Sequence, residues 1–221
     1  MSRVVALVPA RDEADIIEAT VTAVAGLAEE VIVIDDASSD GTGAVAAEAG
    51  ANTIICPRRL GKGGALELGL RSVDAEVDLW ILADADLGES ASELSSLLAE
   101  VRSGRCDIAI ATLPPQGGGF GFVKRAAAFA IRVLGGIRVT EPLSGQRVLT
   151  AEALSACRPL APGFGVETAM TIDAARLGLR VLEVPTGIRH RAGGRDLSGF
   201  RHRGRQGWDI LKAVAGRAVL R

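Results

Sequence analysis

Tyrosine is absent from this 221-residue chain, and aromatic residues make up only 3% of it. Its apolar content is Ala, Val, Leu and Ile, which suits strands flanked by closely packed helices better than an aromatic-rich sandwich. No apolar run reaches the roughly 18 residues of a membrane-spanning helix. Val4 to Val8, halted by Pro9, is too short for a secretion signal. A cytoplasmic protein is therefore expected, with peripheral contact at the inner face of a membrane left open. Cysteine is scarce: Cys56, Cys106 and Cys157 form no C-x-x-C pair, which predicts small buried thiols in a reducing compartment and no structural zinc. The phosphate loop G-x-x-x-x-G-K-[ST] and the dinucleotide signature G-x-G-x-x-G are both missing, which weakens kinase-like and dehydrogenase-like readings.

What is present is 48% hydrophobic residues, enough for one substantial core. Short apolar runs alternate with helical patterns. Strands are expected at Val4 to Val8, Val31 to Ile34, Thr53 to Ile55, Leu79 to Ala83 and Asp107 to Ala111. Helices are expected at Ala14 to Ala25, Thr42 to Ala49, Gly64 to Leu70 and Ser90 to Val101, the last capped by Ser90 and boxed by Glu93. This alternation implies an α/β fold with a mostly parallel sheet covered by helices on both faces. Beyond the glycine-rich link at 114–119, helices are expected at Phe122 to Leu134, Leu149 to Cys157 and Val166 to Leu177, with a final core strand from Arg180 to Val184. A single domain is expected over 1–221, with residues 1–112 binding a nucleotide, 113–188 forming an acceptor side, and 189–221 a basic segment ending in a helix.

Formal charge is -2 overall, yet residues 189–221 carry eight Arg and one Lys against Asp196 and Asp209. Arginine clusters suit phosphate oxygens or an anionic membrane face. Without interleaved aromatics, and with the rest of the chain acidic, no nucleic-acid partner is expected. A terminal helix from Gly207 to Leu220 is expected to dock on the domain or on a second subunit, which leaves a homodimer open.

In an open parallel sheet, chemistry gathers at the carboxyl ends of the strands. Three polar clusters fall there: Pro9-Ala10-Arg11-Asp12-Glu13, Asp35-Asp36 and Asp84-Ala85-Asp86. An Mg²⁺ or Mn²⁺ ion bound to a diphosphate needs hard oxygen ligands, often one or two from protein carboxylates. In an extended D-x-D, Asp84 and Asp86 share a face while Ala85 points elsewhere; if a turn breaks that geometry, one touches metal and the other ribose. Asp36 or Asp40 suits a helix cap, a likelier role for Asp40 than ligand contact. Lys62, among Gly61, Gly63 and Gly64 at a helix start, is placed to reach phosphate or base.

These strings, in this order and spacing, resemble the family 2 glycosyltransferases, in the manner of polyprenyl-phosphate mannosyltransferases and glucosyl-3-phosphoglycerate synthases. The resemblance is strong over residues 3–112 and looser over 140–195. It implies a Rossmann-like GT-A fold, a nucleoside-diphosphate sugar donor (UDP- or GDP-sugar), Mg²⁺ or Mn²⁺, and a phosphorylated small-molecule or polyprenyl-phosphate acceptor. Residue by residue, it implies Pro9, Ala10, Arg11 and Glu13 in the nucleoside pocket, Asp35 or Asp36 near the base, and Lys62 near base or phosphates. Asp84 and Ala85 would face the donor, Asp86 would be the principal metal ligand with Asp84 beside it, and His190 would complete the shell. Arg191 would stabilise the leaving diphosphate and Arg195 would contact the donor phosphates. Leu143-Ser144-Gly145-Gln146-Arg147 looks like the acceptor-side loop, and Glu167 aligns with a carboxylate near the acceptor. Many members follow that carboxylate with aspartate where this chain has Thr168. A phosphate acceptor, already ionised at neutral pH, dispenses with a strong base. The competing readings are a nucleotidyltransferase acting on a sugar phosphate and a non-catalytic nucleotide-sugar-binding module.

Overall fold

A computed structural model of the chain describes residues 2–114, 121–189 and 212–217. Its seven-stranded sheet has the order β3-β2-β1-β4-β6-β5-β7. The first four strands, β1 (Val4–Ala10), β2 (Glu30–Asp35), β3 (Asn52–Ile55) and β4 (Leu79–Leu82), are mutually parallel. They are joined by α1 (Ile17–Ala25), α2 (Thr42–Glu48) and α3 (Lys62–Arg71). Strand β1 is buried along its whole length apart from Pro9, as its unbroken apolar run requires of a strand covered on both faces. One apolar layer includes Val4, Ala6, Val8, Ile17, Leu94 and Leu97, and the other Val5, Leu7, Ile34, Leu66, Leu149 and Met170. Alternate residues of β1 thus feed opposite layers.

Three expectations are corrected. The segment expected as one helix from Ser90 opens as a 3₁₀ turn, Gly88–Glu93, before α4 (Leu94–Arg102), and no side chain caps it. The Ser90 hydroxyl instead donates to the Leu87 and Arg189 carbonyls. The helix expected from Leu149 begins as a strand: β6 (Arg147–Thr150) runs antiparallel between β4 and β5 (Ile108–Thr112), and α6 (Ala151–Ala156) follows, capped by Thr150. Arg147-Val148-Leu149 is too short to show its period, so burial between two neighbours decides it. Lastly, the expected final strand is present as β7 (Val181–Pro185), but it is a half-buried edge strand rather than a core one, and it includes Pro185, a residue an edge tolerates.

Helices α5 (Gly121–Gly135) and α7 (Val166–Arg176) pack together beside this half of the sheet. Residues 212–217 are helical and dock on α7: Ala213 is buried with Ala161 and Ala169, and Arg217 pairs with Asp173 at 2.6 Å. Among the described residues, the expected terminal helix therefore rests on its own domain. No described helix is long and apolar enough to cross a membrane.

Candidate active site

The carboxyl ends of β1, β2 and β4 lie side by side, and the antiparallel β6 brings its start to the same edge through the Leu82↔Arg147 pair. On the β1 side, Pro9 and Ala10 pair with Ile34 and Asp35. Arg11 donates to the Asp36 carbonyl and lies 3.3 Å from Asp12. Asp12 is left-handed, φ 54°, with its carboxylate accepting from the Ser39 amide and hydroxyl. The Glu13 amide donates to Thr42 Oγ1 at 2.9 Å.

The neighbouring aspartates divide their work. Buried Asp35 accepts from the Ser38 amide at 2.8 Å and the Gly43 amide at 3.1 Å, tying the turn to the first residues of α2. A Cβ on Gly43 would stand 2.7 Å from that carboxylate. Asp36 accepts from the Leu60 and Gly61 amides and so holds the loop that delivers Lys62, instead of capping α2. Asp40 accepts from the Thr42 hydroxyl and amide and from the Ala14 amide, joining two loops. The Thr42 hydroxyl above all holds its carboxyl below the usual aspartate range.

Lys62 is the centre of the arrangement. Gly61, at φ 76°, turns the chain into α3, and Gly63 sits so close to Ala161 that a Cβ would meet that carbonyl oxygen at 1.9 Å. The ammonium lies 2.5 Å from Asp84 Oδ1 and 2.6 Å from Glu167 Oε1. Burial alone would push its pKa down, but the two carboxylates outweigh burial and hold it above the ordinary lysine value.

Asp84-Ala85-Asp86 lies beyond β4, in the turn rather than the strand. Asp84 Oδ2 accepts from Gln146 Nε2 at 2.6 Å, so both its oxygens have partners. Ala85 is buried in the core, and its carbonyl accepts from Thr20, so this residue is a spacer between the two aspartates. Asp86 is half-buried at the site's margin.

The turn that leads into β6 is fixed from several directions. Ser144 Oγ donates to Gln146 Oε1, aiming the Gln146 amide nitrogen at Asp84. Gly145 leaves room for both charges: a Cβ there would stand 2.2 Å from the Lys62 ammonium and 2.8 Å from the Asp84 oxygens. Fully buried Arg147 donates to the Ser144 carbonyl and to Thr171 Oγ1 on α7. Burial pushes its pKa down to about 10, with Glu167 the main opposing charge, so it remains cationic at neutral pH. Glu183 on β7 accepts from the Thr140 and Glu141 amides, and Glu141 pairs with Lys124 of α5 at 2.6 Å. Glu167 sits in the first turn of α7, where the helix dipole favours a carboxylate.

The model of the family described as glycosyl transferase family 2 matches residues 5–155. The chain belongs to that family. It is 29% identical to an undecaprenyl-phosphate mannosyltransferase of Micrococcus luteus over 216 residues, covering 89% of this chain and 88% of the relative. It is 31% identical to a glucosyl-3-phosphoglycerate synthase of Mycobacterium tuberculosis over 222 residues, spanning 84% of this chain but only 65% of that relative's length. A crystal structure of a Mycobacterium tuberculosis synthase with Mn²⁺, UDP-glucose and phosphoglyceric acid matches 98% of this chain and 79% of its own, with TM-score 0.81 and 28% identity. The same enzyme with Mg²⁺ and UDP matches with TM-score 0.82.

In this family 2 glycosyltransferase the structure brings Lys62, Asp84 and Glu167 into one ion-paired cluster, with Asp86 two residues beyond Asp84 in the chain. His190, Arg191 and Arg195 lie outside the described residues. No three His, Cys, Asp or Glu side chains form a ready metal cage among the described residues. A divalent ion that keeps several waters and takes diphosphate oxygens needs only one or two carboxylates, and Asp86 fits that demand. Asp84 fits it less well, since a cation there would share oxygens already accepting from Lys62 and Gln146. Gln146 and Arg147 were expected only as part of a loop; the structure gives each its own contacts, Gln146 with Asp84 and Arg147 with the Ser144 carbonyl and Thr171.

Proposed function

We propose that this protein is a metal-dependent hexosyltransferase that moves a sugar from a nucleoside-diphosphate sugar, UDP- or GDP-linked, to a phosphorylated acceptor. The observation that carries the reading is the bridge made by Lys62 between Asp84, in the turn after β4, and Glu167 on the acceptor-side helix. The relatives supply the reaction class: one is named for transfer to undecaprenyl phosphate, another for phosphoglycerate.

On this reading Pro9, Ala10, Arg11 and Glu13 line the nucleoside pocket, with the Asp35 and Asp36 turns as its rigid frame. Asp86 is the principal ligand for Mg²⁺ or Mn²⁺, with Asp84 facing ribose or diphosphate and His190 completing the shell. Once bound, the ion supplies Lewis-acid stabilisation of charge on the departing diphosphate. Lys62 holds a fixed positive charge between two carboxylates, so an anionic acceptor can approach without facing their full repulsion. Glu167 orients the acceptor, and the Ser144-Gly145-Gln146 turn fixes its distance from the donor. Arg191 and Arg195 would close over the diphosphate.

A panel of UDP-, GDP- and ADP-sugars with Mn²⁺ or Mg²⁺, offered with phosphoglycerate and with a short polyprenyl phosphate, tests this. Release of the nucleoside diphosphate coupled to sugar on the acceptor is expected. Pyrophosphate release from a nucleoside triphosphate plus a sugar phosphate would replace the reading with nucleotidyl transfer.

A further inference from the structure

Helix α5 buries Ala127 and Ile131 against its own domain, yet its outward side is also apolar. Phe122 is 77% exposed, Phe129 67% and Val133 58%, in a chain with only five phenylalanines. At about 100° per residue, Phe122, Ala126, Phe129 and Val133 fall within an arc of roughly 60°. Exposed Arg125 and Arg132 lie along one edge of that stripe. The helix carries Lys124, Arg125 and Arg132 and no acidic residue, while the whole chain is net negative at -2.

We propose that this face of α5 docks on an anionic lipid bilayer, and that the acceptor is accordingly a membrane-borne phosphate; the second half rests on the transferase reading above. An apolar stripe bordered by arginines matches the boundary between acyl chains and anionic headgroups, with the rings below and the guanidinium forks on the phosphates. A second copy fits less well. A two-fold contact that runs two copies of α5 antiparallel sets the same face against itself and brings like-charged arginine edges together. The face also connects to the reaction site. Lys124 grips Glu141 at 2.6 Å, Glu183 holds the Glu141 amide, and three residues further on the Ser144–Gln146 turn reaches Asp84. Helix α5 packs on α7, whose first turn carries Glu167. A bilayer under α5 therefore borders the acceptor side, not the nucleotide side.

Co-sedimentation of the full chain with vesicles of phosphatidylcholine alone, and of phosphatidylcholine mixed with phosphatidylglycerol, tests the surface. Binding is expected only to the anionic vesicles, weakening as salt rises. Phe122→Ser with Phe129→Ser should lower it about tenfold or more, and Arg125→Gln with Arg132→Gln should flatten the salt dependence. Thermal melts and calorimetric binding of UDP or GDP with Mn²⁺ should match the parent in both variants. Transfer should favour polyprenyl phosphate in anionic vesicles over phosphoglycerate in solution, and the phenylalanine variant should lose that preference. No vesicle binding by the parent, or undiminished binding by the phenylalanine variant, overturns the docking surface. A dimer in light scattering that dissociates in that variant overturns it in favour of a second copy. Equal transfer to the soluble acceptor overturns the acceptor class alone. Vesicle binding without sugar transfer to any acceptor removes the transferase reading while the docking surface stands.

Discussion

Lys62, Asp84 and Glu167 are far apart in the chain, and each was visible in the sequence as a charged residue near a turn. Their ion-paired convergence was not, because it depends on Gly145 having no side chain and on Gly63 packing against the Ala161 carbonyl. Replacing Lys62 with Met deprives the buried Glu167 carboxylate of its direct ion pair, leaving only the field of Arg147. Stability should fall by about 3 kcal/mol, read from urea unfolding, together with loss of sugar transfer. Gly145→Ala should keep the fold but push the lysine off its partners, and transfer should drop by about a hundredfold or more for a displacement of about 1 Å. Asp86→Ala should remove metal-dependent donor turnover with little change in the melt. Turnover unchanged in that variant would remove Asp86 from the metal site. The aspartate pair at 35–36 was legible as functional territory, but its two roles, one framing α2 and one holding the lysine loop, follow from backbone amides that no residue pattern announces.

At the level of elements, the β-α alternation through residue 112 was readable because apolar runs such as β1 and β2 are set off from the helical patterns by polar turns. Strand β6 was hidden: it runs straight into α6 at Ala151 with no turn between, and only tertiary pairing separates strand from helix. The edge pair β5 and β7 carries a pH dependence of its own. Arg180 donates to Asp107 at the strand entry and, above all through this hydrogen bond, holds the aspartate below its ordinary pKa. A depressed carboxylate adds stability that is present above its unfolded pKa of about 3.9 and disappears as pH falls through the folded value. Unfolding free energy should therefore decline below about pH 4, and Asp107→Asn should show a smaller decline across that window. Gly63→Ala at the start of α3 should cost about 2 kcal/mol or more, seen as a lower denaturation midpoint, since Ala161 backbone has to yield.

For the whole molecule, donor and metal should act as a folding ligand. With UDP and Mn²⁺ at about one hundred times their dissociation constant, stability should rise by about 2.7 kcal/mol, a shift that a thermal melt resolves and that Asp86→Ala should abolish. The antiparallel β6 gives the assembly a particular mechanical character. Because Arg147 pairs with Leu82 and Ile110 within one continuous sheet, the turn before β6 and the turn after β4 are rungs of a shared ladder, not jaws of two lobes. Their spacing is set by strand separation and register, so a slip of one residue would carry Arg147 from the interior to the opposite face. On the proposed reading, the distance between the two turns would then be fixed by the sheet itself and not by the closing of a cleft. On that reading, the stretch between α5 and β6 could be rebuilt without disturbing the four parallel strands that carry the aspartates.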